Sequence, residues 1–287
     1  MRELTEDEAK VDIIYKYVGT ENFRTKIFDD RKVRFSSPTV LNDPFELSSK
    51  LEELSDDDIR KLYYQNAEKE MENYYDDLTD CEKSKRSLKT YKENGWASYK
   101  LNEEKSIKEE RPKIQKIAEG SFERVKRVCG ILSLSSSDKS LLMWAHYAQN
   151  YEGFLVGFDI KNKFFKKDLR PVKYHEHDNL PPYNIMTAIT ADFLFIKSSE
   201  WGYEKEWRMI NILKEEKNRC ISCDELFEIP ASAFKEVIFG CRCKDETISK
   251  IVNKIEANPD LKGKIKFFKA TLSREKYELN IDSFICF

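Results

Sequence analysis

Histidine is scarce in this 287-residue chain, with three copies against 50 Lys plus Arg and 52 Asp plus Glu. The nine glycines are scattered, and no GxGxxG, GxxxxGK[ST], GxSxG or HExxH pattern occurs. Rossmann, P-loop, α/β-hydrolase and zincin chemistries are therefore not expected. No apolar run approaches the roughly 18 residues needed to cross a bilayer, so no membrane partner is expected. The opening segment, MRELTEDEAKVD, has neither a basic n-region nor an apolar h-region. Seven cysteines, an odd number, then read as free thiols of a cytoplasmic chain. A formal charge of −2 gives no strong electrostatic case for nucleic acid or an anionic membrane surface.

Aromatic residues are abundant. Eighteen Phe, 14 Tyr and 4 Trp argue for a packed core despite 36% charged residues and a mean hydropathy of −0.67. VDIIYKYV and RKVRFSSP read as strands around a short helix, with Phe23, Ile27 and Phe28 at helical spacing and Thr20 or Asn22 as its cap. The stretch from about 48 to 126 is dense in charge of both signs and predicts two to four surface helices inserted between β-rich parts. Its run Lys83–Arg86 reads either as a nucleic-acid contact or as a solvated helix face. Beyond it, CGILSLSSS is a strand, DKSLLMWAHYAQN a helix apolar almost all round, and YEGFLVGFDI a strand. Further strands follow, with an amphipathic helix at ETISKIVNKIEA. The expected class is α+β, with a mainly antiparallel sheet and a charged helical insertion.

Three segments hold the chemistry-bearing residues. In WGYEKEWR, an extended chain puts Glu204, Glu206 and Arg208 on one face, a pair of carboxylates that can divide catalytic labour or a charged surface strand. In SLLMWAHYAQNYEGF, the residues Trp144, His146 and Tyr147 either wall a pocket for a planar ligand or pack as core. In SSPTVLNDPFE, the residues Asn42, Asp43 and Glu46 sit on a turn set by two prolines, lining a site or capping their own backbone. Cys220 and Cys223 form a CxxC and Cys241 and Cys243 a CxC, which read as a zinc site or as inert thiols; His175 and His177 form a possible two-ligand pair.

FSSPTVLNDPFE, LLMWAHYAQNYEGFLVGFD and WGYEKEWR, followed by KEVIFG, resemble the signatures of the bacterial DUF2971 family. More remotely, the order of elements is similar to the ADP-ribosyltransferase fold. That resemblance implies a two-sheet core over residues 1–287, NAD as substrate, and a protein, nucleic-acid or small-molecule acceptor or water. It also implies a role in bacterial conflict such as phage defence or a toxin. By this resemblance Tyr147 stacks on nicotinamide, with Trp144 and His146 shaping the wall. Glu206 stabilises the oxocarbenium-like centre and Glu204 orients the acceptor. Lys16, flanked by Tyr15 and Tyr17, stands where the family usually places His or Arg to hold the NAD ribose. Ser36, Asn42 and Arg208 complete the cofactor-side set. With both glutamates taken as exposed, Glu→Gln changes are expected to leave the melting temperature nearly unchanged. Two other readings stay open: a metal-dependent nuclease with Asp43, Glu46, Glu204 and Glu206 on Mg²⁺ and the basic stretch Lys161–Tyr174 on a phosphate backbone, and a non-catalytic binding module.

Overall fold

The computed structural model describes residues 6–21, 24–166, 168–176, 180–184, 191–214 and 225–284. Asn22, Phe23, His177, Cys220 and Cys223 lie outside these residues. The chain forms two compact units. The first comprises residues 1–48, 125–179 and 194–287, the second residues 49–124 and 180–193.

In chain order the strands are β1 (Ile13–Val18), β2 (Lys32–Arg34), β3 (Lys50–Leu51), β4 (Cys129–Ser135) and β5 (Phe154–Asp159). They continue as β6 (Arg170–Pro171), β7 (Lys173–His175), β8 (Pro182–Tyr183), β9 (Ile196–Ser198) and β10 (Glu206–Ile212). The last are β11 (Leu226–Glu228), β12 (Phe234–Phe239), β13 (Lys266–Leu272) and β14 (Leu279–Ser283). In the first unit, eight of them form one sheet in the order β14-β13-β12-β5-β1-β4-β10-β6. Only β12 and β13 pair in parallel within it. The mixed helix and strand content makes the chain α+β, as expected.

The expected pair of sheets is instead one sheet with a seam. β1 pairs with β5 along its whole length, and β4 with β10 likewise. Between β1 and β4 the register holds at one pair, Tyr15 with Ser135. Past that point Ser36 bridges Ile131 on the free side of β4. Alternation along β1 sends its side chains into two cores. Ile14 and Val18 join Leu132, Leu134, Phe154, Val156 and Phe158, under Ile248, Ile251 and Ile255 of the helix Asp245–Ala257. Tyr15 and Tyr17 pack on the other face with Trp144, Ala148, Leu155 and Ile238.

The helix Leu141–Tyr147 covers that second face. It is amphipathic rather than apolar all round: Met143 and Trp144 are buried, while Leu142 and His146 are exposed. Its end is set by three consecutive left-handed residues, Gln149, Asn150 and Tyr151. Their turn sends the amides of Asn150, Tyr151 and Gly153 back to the carbonyls of Ala145, Trp144 and Ala148. Two glycines permit it. A Cβ on Gly153 would lie 2.1 Å from the Val18 carbonyl oxygen, and one on Gly240 would lie 2.1 Å from that of Tyr151.

The second unit holds the helices Asp56–Asp76, Asp80–Lys85 and Leu88–Leu101 and most of Glu103–Val128. Ser55, Thr79 and Ser87 cap the first three with their hydroxyls, and Thr79 and Glu82 complete a capping box. Its apolar cluster is small, built on Leu54, Ile59 and Ile107, with Tyr63, Tyr64, Trp96 and Tyr99 in ring contact alongside. Lys83 of the Lys83–Arg86 run bonds the Asp76 carbonyl of its own helical region. Among the described residues no helix is long and apolar enough to cross a membrane.

Candidate functional site

The site begins with a break in the backbone. A 3₁₀ turn, Ser199–Glu204, is capped by the Ser198 hydroxyl and ends at Lys205, whose φ of 44° and ψ of 49° are left-handed. The strand therefore opens only at Glu206, and the extended face expected for Glu204, Glu206 and Arg208 does not form. The break is held from β4: the Ser135 hydroxyl donates to the Glu204 carbonyl at 2.6 Å, and the Ser136 amide to that of Lys205.

The two carboxylates still meet, through a residue that the sequence did not single out. Lys197 on β9 donates to Glu204 Oε2 at 2.7 Å and to Glu206 Oε2 at 3.4 Å. Arg208, fully buried, grips Glu206 with Nε at 2.8 Å and Nη2 at 3.0 Å. The same guanidinium reaches Glu46 with Nη2 at 2.9 Å and donates through Nη1 to the Leu194 carbonyl. Glu206 also anchors β7, its amide donating to the Tyr174 hydroxyl at 2.7 Å. Three carboxylates and two cations thus share one interior, and each is under a tenth exposed.

Burial alone would raise the Glu206 carboxyl, but Arg208 and Lys197 hold it down at about 2. Burial pushes the Glu46 carboxyl up, against the pull of Arg208. Burial likewise opposes charge on Lys197, yet Glu206 and Glu204 keep its ammonium above the ordinary lysine value. The expectation of exposed glutamates is corrected: Glu204 and Glu206 are each 4% exposed.

From this interior a polar chain runs outward. Tyr147 donates its hydroxyl to Glu204 Oε1 at 2.6 Å, and the exposed Asn42 donates its amide to that hydroxyl at 2.8 Å. Burial, then Glu204, raises the Tyr147 phenol, so it stays a donor. His146 is exposed and touches Tyr147 and Tyr203 by its ring, with Trp201 beyond Tyr203.

The other expected residues are placed elsewhere. Trp144 is core: fully buried, it donates its indole to the Asp138 carbonyl and packs edge-on against Tyr17. Tyr15 donates to Glu236 and Tyr17 to the Ser137 carbonyl. Lys16 donates to the Ser133 carbonyl at 3.0 Å, beside the seam, and burial lowers its ammonium to about 8. Ser36 serves through its backbone bridge to Ile131. Asp43 caps its own turn, accepting from the Phe45 amide at 2.8 Å.

Glu46, Glu204 and Glu206 do converge, but on Arg208 and Lys197 instead of an open oxygen cage, and Asp43 is not among them. Their donor set does not suit Mg²⁺, which needs carboxylate oxygens free to coordinate. In the basic stretch, Phe165 is fully buried and Arg170 covers the Phe195 ring. Cys241 and Cys243 are free thiols, and burial lifts that of Cys243 to about 11. Among the described residues no group of three or more His, Cys, Asp or Glu is arranged to hold a metal. A surface groove is lined by Phe28, Asp29, Arg31, Lys254 and Asp260, with Arg31 paired to Asp260 and Lys254 to Asp29.

These features define an α+β protein whose sheet end carries a buried, lysine-bridged glutamate pair under a tyrosine. Residues 143–209 match the family described as "Protein of unknown function (DUF2971)", and that segment contains Tyr147, Lys197, Glu204, Glu206 and Arg208. No curated protein and no solved structure matches the chain.

Proposed function

We propose that the protein is an ADP-ribosyltransferase-like enzyme that uses NAD, with Glu204 as the working carboxylate. The observation that carries this reading is the Asn42–Tyr147–Glu204 chain. It sets an aromatic ring beside a carboxylate at the outer end of an otherwise closed charge network. The sheet seam between β1 and β4 supports a core of two strand blocks. Glu206, first expected in this role, is gripped through both oxygens by the fully buried Arg208 and holds the network together, whereas Glu204 bonds the tyrosine that leads out to Asn42.

In this mechanism nicotinamide stacks on Tyr147, and the C1′–N bond of its ribose breaks with the electron pair leaving on nicotinamide. The Glu204 carboxylate stabilises the oxocarbenium-like centre electrostatically. An acceptor nucleophile, or water, then bonds C1′ and gives up its proton. The test is incubation with labelled NAD, following nicotinamide release and label transfer with protein and nucleic-acid acceptors supplied. Release of nicotinamide is the expected result. The absence of both NAD binding and turnover would overturn the reading.

A further inference from the structure

We propose that Lys197 is a positioning residue for Glu204, fixing the carboxylate against Tyr147 by taking its second oxygen. The geometry leaves Glu204 little freedom: Tyr147 binds Oε1 at 2.6 Å and Lys197 binds Oε2 at 2.7 Å, from two separate elements. Lys197 is itself held. Its ammonium lies 3.4 Å from Glu206 Oε2, 4.0 Å from Glu46 and 4.6 Å from the centre of the Trp201 ring. Glu206 and Glu46 are in turn fixed by Arg208. Lys197 thus transmits the rigid interior to Glu204, the carboxylate that bonds the outer tyrosine. A buried ammonium with three carboxylates around it is costly to assemble, and packing alone does not call for it, since a wholly apolar set of similar volume is often as stable. What the ammonium adds is aim: a preorganised charge that need not reorient as the sugar becomes cationic.

The kinetic part of the test rests on the NAD reading above; the labelling part does not. In Lys197→Met, kcat for nicotinamide release is expected to fall about 10²-fold, the scale of one lost preorganised contact, while KM for NAD stays within a few-fold. Lys197→Arg, which keeps the charge, is expected to recover part of the loss. Independently, a water-soluble carbodiimide followed by peptide mass mapping reads how firmly Glu204 is held, and its labelling is expected to rise several-fold in Lys197→Met. Should that variant fail to fold, Lys197→Gln carries the same two comparisons. Unchanged kcat, or Glu204 labelling equal to wild type, overturns the assignment. A wild-type protein inert toward NAD removes the functional reading and leaves the labelling to decide this one.

Discussion

Tyr147 donates its hydroxyl to the Glu204 carboxylate at 2.6 Å, though one ends a helix and the other ends a 3₁₀ turn 57 residues later. Each side needs the other. A buried carboxylate oxygen without a donor costs about 1–3 kcal/mol or more, and so does a buried phenol without an acceptor.

That contact predicts a graded loss of activity. Glu204→Gln keeps the shape and removes the charge, and NAD turnover is expected to fall about 10²–10³-fold. Tyr147→Phe removes one hydrogen bond to a charged group, about 1.5–3 kcal/mol, and is expected to cost about 10–100-fold. Nicotinamide release, measured with binding checked separately, distinguishes a rate effect from lost affinity.

Arg208 predicts a stability effect. Arg208→Met strips two buried carboxylates of their shared partner and is expected to destabilise the fold by about 3–5 kcal/mol in urea unfolding. Adding Glu46→Gln and Glu206→Gln to that variant is expected to restore part of the loss. Arg208→Lys is not expected to rescue, because one ammonium cannot reproduce the fork that holds Glu206 and Glu46 together.

Lys16 predicts a dependence on alkaline pH. Its ammonium titrates at about 8 in the fold against an ordinary 10.5. Between these values the unfolded chain binds the proton that the folded chain has released, so stability rises with pH across that window. Lys16→Met is expected to flatten the rise relative to wild type in denaturant titrations at pH 8, 9 and 10, each about 1 unit apart at about 1.4 kcal/mol per unit.

The left-handed turn predicts sensitivity at two glycines. Gly153→Ala and Gly240→Ala each push a methyl group into a backbone carbonyl, which cannot swing aside as a side chain can. A loss of about 1–3 kcal/mol is expected for each, read by thermal unfolding. Because the turn ends the helix that carries Tyr147, activity in the surviving fold is expected to fall further than stability alone explains.

The strands and helices were legible where composition alternates strongly. IIYKYV carries β-branched and aromatic residues, CGILSLS is a short apolar run that ends in serines, and the charge density of 49–124 marks its helices. The glutamates and Arg208 also stood out by spacing. Their geometry did not, because one left-handed residue, Lys205, breaks the period of two, and nothing in its side chain announces that. Lys197 escaped notice in a phenylalanine-rich run, since its partners are set by how β9 meets the turn. The Arg208–Glu46 bond spans 162 residues of sequence, beyond any local pattern. Tyr147 and Asn42 were each singled out, but not their contact across 105 residues.

The position of β1 in the sheet also shapes how the molecule is made. Its two neighbours, β4 and β5, are both synthesised after the helical stretch between them and β1, and Tyr17 waits 120 residues for the Ser137 carbonyl it binds. A nascent chain therefore carries an aromatic, β-prone strand with two open edges while the charged helices emerge behind it. Those helices form from local contacts and fold quickly. Their sequence, dense in charge of both signs, adds few β-prone segments to the unfinished chain while both edges of β1 are still unpaired.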